Sequence, residues 1–426
     1  MNYFDTSRQV TVLGAGMVGV SCALALQAKG WRVTLVDRRE PGEETSFGNA
    51  GVLSRSSLLP LNRPGLWRSL PNMLMQGSPA LKLRASGLQN WPWLLKFLWH
   101  AQESSFESTS LALDGLIQIS MSQHRKWLAQ AHAENFLRDT GWLWLYSSPE
   151  AFAGSASTRD ILQDFSVGME VLTPQGLADL EPHIAQKFSH ALWIKDALSV
   201  SNPGAVVKAY AQQLIQSGGV FKAEEVRAIS QQPTGWQWHT TSGNVHWTPN
   251  LVLAMGPWSA SLLSASHLGR KHRLNLGFER GYHRQFKPQE GITLGRPIYD
   301  TAGAYVLSPM QNEGGDISLR LSTGVELAAQ HAHFNAQQLD DAELAARQVL
   351  PFNEAEASSD WLGSRPTTPD SRPLIGEMPG CAGLWLAYGH QHIGFSTGPG
   401  TGVLLSELMS SESTSIDPRP FSPARF

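Results

Sequence analysis

Residues 10–13 form a short apolar run that ends in Gly14-Ala15-Gly16-Met17-Val18-Gly19. Apolar helix formers continue through residues 20–28 and stop at Gly30, and residues 31–36 then read as a second strand closing on Asp37. No other feature restricts the fold as tightly. Strand, glycine turn, helix, strand and acid in one unit describe a parallel βαβ that binds a dinucleotide at its turn. Gly14 makes the tight turn, Gly16 lets the backbone approach a pyrophosphate, and Gly19 lets the helix pack close on the sheet. The phosphates sit on unpaired N–H groups at the positive end of the helix. Asp37, 18 residues beyond Gly19, has the spacing of a carboxylate that accepts ribose hydroxyls. The motif does not separate FAD from NAD. Arg38 and Arg39 read either as a site for a 2′-phosphate or as a solvated pair beside the adenosine. Cys22 falls on the buried side of the helix and reads as packing.

Composition narrows the class further. The chain of 426 residues is long enough for two intertwined domains. Its net charge of −3, without runs of like charge, argues against nucleic-acid binding. Two cysteines, Cys22 and Cys381, exclude a disulfide framework and fit a reducing, cytoplasmic setting. Residues 1–9 are polar, which predicts no signal peptide. No run of about 18 apolar residues predicts a membrane span.

Residues 44–51, Glu-Thr-Ser-Phe-Gly-Asn-Ala-Gly, suit the wrapping of a flat polar ligand by backbone groups. Many of the 15 tryptophans fall between Trp67 and Trp144. Helices are expected over 91–102 and 111–133. The first reads as a buried helix of a substrate domain, or as an interfacial helix touching a membrane surface, since Trp and Lys suit that interface. A nucleotide-like pattern returns with a helix at 203–215, a strand from 220, a hairpin over 236–247 and a buried strand at 251–254. A polar helix is expected over 340–349, and glycine-rich segments follow at 363–376 and 389–398. The Ser-rich stretch after Met409 is expected to pack loosely.

Taken together, residues 14–19, 45–51, 251–259, 363–376 and 389–397 resemble the FAD-dependent D-amino-acid oxidase superfamily. This family includes the glycine and sarcosine oxidases, and the pattern here is most like the bacterial D-amino-acid dehydrogenases. The resemblance implies an α/β fold, with a Rossmann-type FAD-binding domain (1–60, 196–262 and 361–426) interleaved with an α+β substrate domain (61–195 and 263–360) built on a mixed sheet. It assigns the cofactor to Gly14, Ala15, Gly16, Met17, Val18, Gly19, Asp37 and Arg38. It adds Thr45, Ser46, Gly48, Asn49, Ala50, Gly51, Val226, Ala254, Gly256 and Trp258, and then Gly363, Arg365, Gly394, Phe395, Ser396 and Thr397. Arg365 matches the arginine that clamps the substrate carboxylate, a role suited to a guanidinium's two parallel charge-assisted bonds. Tyr305 resembles the tyrosine that adds a second bond to that carboxylate, and Tyr282, His283 and His392 are further substrate-side candidates.

Sarcosine-type oxidases tether their flavin through a cysteine just before the Thr-Pro-Asp run, where this chain has Gly363. Non-covalent FAD is therefore expected. His390 with His392, and His331 with His333, lack the further ligands that a metal site needs. The resemblance implies hydride transfer from Cα to the flavin, giving an imino acid and then a 2-oxo acid plus ammonia. That reaction needs orientation and a neutral amine more than a general base, so no Asp–His base pair is expected, and His283 and His392 are secondary candidates for proton transfer. The electron acceptor stays open among a quinone, a carrier and dioxygen. Alternatives are oxidation of a secondary amine on the same fold, an NAD(P)-dependent dehydrogenase, and a flavin-binding subunit of a larger oxidoreductase.

Overall fold

The computed structural model describes residues 8–67, 81–88, 90–266, 268 and 276–426. The polar start and part of the Trp-rich stretch, residues 68–80, lie outside these. In chain order, the elements that build the site begin with β1 (Gln9–Leu13), α1 (Met17–Ala28) and β2 (Arg32–Asp37). Helices α2 (Trp91–Trp99), α3 (Glu103–Gln130) and α4 (Pro203–Gln216) precede strands β3 (Val220–Ala223) and β4 (Asn250–Leu253). Then come β5 (Gly277–Pro288), β6 (Tyr305–Gln311), β7 (Ile317–Thr323), β8 (Val325–Leu327), α5 (Gln337–Arg347) and β9 (Trp361–Thr367). The order closes with β10 (Leu374–Glu377), β11 (Leu384–Tyr388) and α6 (Gly394–Met409).

One six-stranded sheet runs β3-β2-β1-β4-β11-β10. All its pairings are parallel except β10 with β11. Its central strands are apolar on both faces, with Val10, Val12, Leu35, Val252 and Leu253 fully buried, as a parallel sheet covered on both sides requires. Small residues let helices close over it. A side chain at Gly402 would run into the Ser21 carbonyl of α1, and one at Gly400 into the Leu116 carbonyl of α3.

The second large sheet is mixed and has eleven strands, with β5 at its centre. This is the expected α/β architecture: a Rossmann-type sheet interleaved with an α+β part. Registers decide what faces the first sheet. Glu279, Gly281 and His283 of β5 stand opposite Arg365, Gly363 and Trp361 of β9, and directly opposed residues share a face. His283 pairs with Ser322, which pairs with Val306, so this face also carries Ser322 and Val306. Residues of the other parity, Arg280, Tyr282 and Tyr305, point to the far face.

Three local expectations change. Helix α3 starts at Glu103 and not at 111, because buried Phe106, Thr109 and Ser110 anchor first turns that look polar in sequence. Helix α2 is buried on one side only. Trp93 and Phe97 are enclosed, while Trp91, Leu95 and Trp99 are 62%, 58% and 72% exposed. The stretch after Met409 is packed, not loose. Phe421 is 1% exposed, and Arg425 reaches Asp370 through Nε at 2.7 Å and Nη2 at 3.1 Å. Among the described residues no helix is long and apolar enough to cross a membrane.

Candidate cofactor and substrate site

The turn between β1 and α1 leaves no room for side chains. Gly14 has φ +105°, and a Cβ there would strike the Ala254 carbonyl, while one at Gly19 would strike the carbonyl of Gly14. Asp37 braces this turn. Its Oδ2 accepts from the Ala15 N–H at 2.6 Å and its Oδ1 from the Arg39 N–H at 3.2 Å. Burial nonetheless pushes the Asp37 carboxyl above its usual value. Ser46, from the 44–51 loop, accepts from the Met17 N–H at 2.9 Å, so that loop is drawn to the start of α1.

These elements enclose a cavity of about 340 Å³. Of the expected cofactor residues, Gly14, Gly16, Met17, Val18, Asp37, Arg38, Thr45, Ser46, Gly48 and Asn49 line it. So do Val226, Ala254, Gly256, Trp258, Arg365, Gly394 and Phe395. Ala15, Gly19, Ala50, Gly51, Gly363, Ser396 and Thr397 stand outside that lining. Gly363 lies against the Trp361 indole. Ser396 donates to the Val52 carbonyl at 3.2 Å and Thr397 to that of Ile393 at 2.8 Å, so their hydroxyls serve the fold. Tyr388 was not foreseen: it lines the cavity, and its buried hydroxyl has no partner among the described residues.

At one end of the cavity, the Arg38/Arg39 ambiguity resolves. Arg38 bonds Glu44 at 2.7 Å and stacks 4.4 Å from the Trp258 ring centroid, and Arg39 approaches the same carboxylate at 3.2 Å. Glu44 already supplies the anion that both guanidiniums hold, which favours the reading as flanking residues.

The other end holds Arg365 and His392. The Arg365 guanidinium lies flat across Gly281, where any Cβ would displace it. It makes no hydrogen bond or ion pair among the described residues. Burial holds it below its usual pKa, with Glu279 opposing. Glu279, fully buried, accepts from the Thr367 hydroxyl at 2.8 Å and pairs with His392 Nδ1 at 2.9 Å. The acid beside His392 is thus a glutamate, not the aspartate of an Asp–His pair. Packing of the turn between β11 and α6 against β5 brings Glu279 beside a histidine so distant in sequence.

The other substrate-side candidates are placed elsewhere. Tyr282 and Tyr305 point to the far face of the mixed sheet, away from Arg365. Tyr282 donates to Glu326 at 2.8 Å. Tyr305 sits in the apolar layer with Leu307 and Phe286. Strand parity explains both, because each is an odd step from the face that carries Arg365. His283 shares that face but stacks on Trp361 at 4.9 Å and lies 3.4 Å from the Gly48 carbonyl, behind the cavity wall. Burial, with Arg320 and Arg365 nearby, pushes its pKa down to about 2, so it is neutral. His390 is likewise buried, pushed down to about 3, and bonded to Thr401 at 2.9 Å. Among the described residues no group of three potential ligands gathers as a metal site.

A cradle without room for side chains at Gly14 and Gly19, a glycine rather than a side chain at the N-cap of α1 and a Tyr388 hydroxyl unpartnered among the described residues fit a flavin dinucleotide. The chain matches the family described as "FAD dependent oxidoreductase" over residues 9–408 and belongs to that family. It is 31% identical to a D-amino-acid oxidase of Bradyrhizobium diazoefficiens over 98% of this chain and 99% of that protein. Among solved structures, glycine oxidase from Geobacillus kaustophilus superimposes with a TM-score of 0.72 at 20% identity, covering 98% of this chain and 99% of that one. L-proline dehydrogenase from P. horikoshii gives 0.72 at 17% identity, covering 98% and 97%. The protein is an FAD-dependent oxidoreductase acting on amino-acid substrates. When bound, FAD supplies the hydride acceptor.

Neither free cysteine, Cys22 nor Cys381, lines the cavity. Acid or heat precipitation is therefore expected to leave the flavin in the supernatant. Flavin that remains with the pellet would show a covalent tether.

Proposed function

We propose that this enzyme removes a hydride from the α-carbon of a small amino acid, preferring the D enantiomer, and yields an imino acid that hydrolyses to a 2-oxo acid and ammonia. The observation that carries this reading is Arg365, a cavity-lining guanidinium that makes no hydrogen bond or ion pair among the described residues. Such a group takes a carboxylate through two parallel bonds and fixes the orientation of its α-carbon. The D preference draws on the name of the 31% identical relative. The division into an FAD part and a substrate part at the boundaries read from sequence belongs to the same proposal. Anaerobic mixing with D-, L- and N-alkyl amino acids tests it through bleaching of the flavin band. Fastest bleaching by D-amino acids is expected. Faster bleaching by N-alkyl or cyclic substrates would establish secondary-amine oxidation instead.

We also propose that α2 rests on a membrane surface, which places a lipid-borne quinone within reach as electron acceptor. Trp91, Leu95 and Trp99 recur every fourth residue and form one exposed apolar stripe, with Lys96 on the same helix. Indole rings and a lysine suit the headgroup layer. The protein is expected to co-sediment with phospholipid vesicles. Replacing all three by Ser should abolish this at unchanged flavin content, and equal sedimentation of both proteins would refute the contact.

A further inference from the structure

Glu279 carries more function than charge balance explains. It is a fully buried carboxylate flanked by Thr367, by His392 and, across the strand register, by Arg365. Its bond to His392 Nδ1 fixes the neutral imidazole as the tautomer with hydrogen on Nδ1, leaving Nε2 as the acceptor. Nε2 has no hydrogen bond among the described residues, and His392 lines the same cavity as Arg365. The two side chains thus flank one carboxylate. Both line one cavity and both neighbour Glu279, an arrangement that offers Arg365 to an α-carboxylate and His392 to the α-nitrogen of the same substrate.

We propose that His392, positioned by Glu279, accepts the proton that the substrate ammonium must lose before its α-carbon can give up a hydride. This rests on the amino-acid reading above. In the step an ammonium N–H bond breaks and an Nε2–H bond forms, while the electron pair stays on the substrate nitrogen. The positive charge moves from substrate to imidazole, against the Glu279 carboxylate. No oxidant enters this step. His392 is thus a catalytic residue and Glu279 a positioning one.

The elements packed against His392 bear few other charges. On β5 these are Glu279, Arg280, His283, Arg284 and Lys287, and of these Glu279 bonds it. Arg280 and Arg284 face the far side, and His283 is held neutral. Strand β9 contributes Arg365. On α6 the one charged residue is Glu407, which is engaged with Ser415. His390, on the same turn as His392, is neutral.

The test uses the FAD-loaded enzyme and two ligands that cannot be oxidised, followed by flavin difference spectra. 2-Aminoisobutyrate has the amine and carboxylate but no α-hydrogen, and pivalate lacks the amine. As the imidazole protonates on acidification, the affinity ratio of aminoisobutyrate to pivalate should fall, by about tenfold per pH unit. The ratio should be flat with pH in His392→Gln. In Glu279→Gln, where the imidazole loses the carboxylate that holds its Nδ1–H, the pH dependence of the ratio should be weaker than in the unmodified enzyme. A flat ratio in the unmodified enzyme, or one that falls identically in His392→Gln, overturns the role of His392. Binding of pivalate without aminoisobutyrate at any pH overturns the amino-acid reading, and the proton step with it.

Discussion

Arg365→Lys retains FAD but loses roughly 30-fold to several-thousand-fold in kcat/KM for amino acids, the equivalent of about 2–5 kcal/mol for a truncated buried charge pair. A lysine keeps the charge and loses the planar fork, so the carboxylate is held at one point and the α-carbon swings. Because the guanidinium lies flat on Gly281, an ammonium there also leaves space unfilled. Simple amines without a carboxylate should be poor substrates of the unmodified enzyme and lose little more in the variant. Equal losses for amines and amino acids, or failure to take up FAD, would make Arg365 a structural residue.

Asp370→Ala should lower stability by about 3–5 kcal/mol, the usual consequence of removing one partner from a buried ion pair. Asp370 is the shared anion of Arg372, bonded at 3.0 Å, and of Arg425 at 2.7 Å, and its side chain is 2% exposed. Without it, two mostly buried guanidiniums lose their countercharge. Arg425→Ala should cost less, because Arg372 remains. Burial raises the Asp370 carboxyl, but Arg425 and Arg372 outweigh it and hold it below the usual carboxylate range. A folded pKa below the unfolded value of about 3.9 stabilises the protein at every higher pH. That contribution disappears as pH falls below about 4. Thermal melts at pH 7 and pH 3 check this: a gap between Asp370→Ala and the unmodified protein at pH 7 should narrow in acid. Equal melting temperatures at pH 7 would show the cluster to be energetically idle.

The βαβ unit was legible because its signal is local: glycines forced by backbone contact, a helix of apolar residues, and an acid at fixed spacing. The cavity walls from the 44–51 loop and from Gly394 onward could be read for the same reason. What escaped was everything set by packing between segments distant in sequence, whether strand against strand or the turn before α6 against β5. Glu279 and His392 are 113 positions apart, and nothing in the local pattern of either points to the other. Tyr282 and Tyr305 have suitable chemistry but the wrong parity, and a one-residue step in a strand sends a side chain to the opposite face. Helix α2 was undecided in sequence because both of its faces are apolar, and only the enclosure of Trp93 and Phe97 separates them.

The interleaving of the six-stranded sheet has a consequence for biosynthesis. Strand β1 is made early, but its second neighbour, β4, begins at residue 250, and β4 in turn waits for β11 at residue 384. At about 5–20 residues per second, the open edge of β1 is unpaired for roughly 10–50 s during synthesis. An unpaired apolar strand edge is a template for wrong partners. Nascent chains stalled before β11 are therefore the form most prone to aggregate, and slower growth or chaperone supply should raise the yield of folded protein more than any change at the active site.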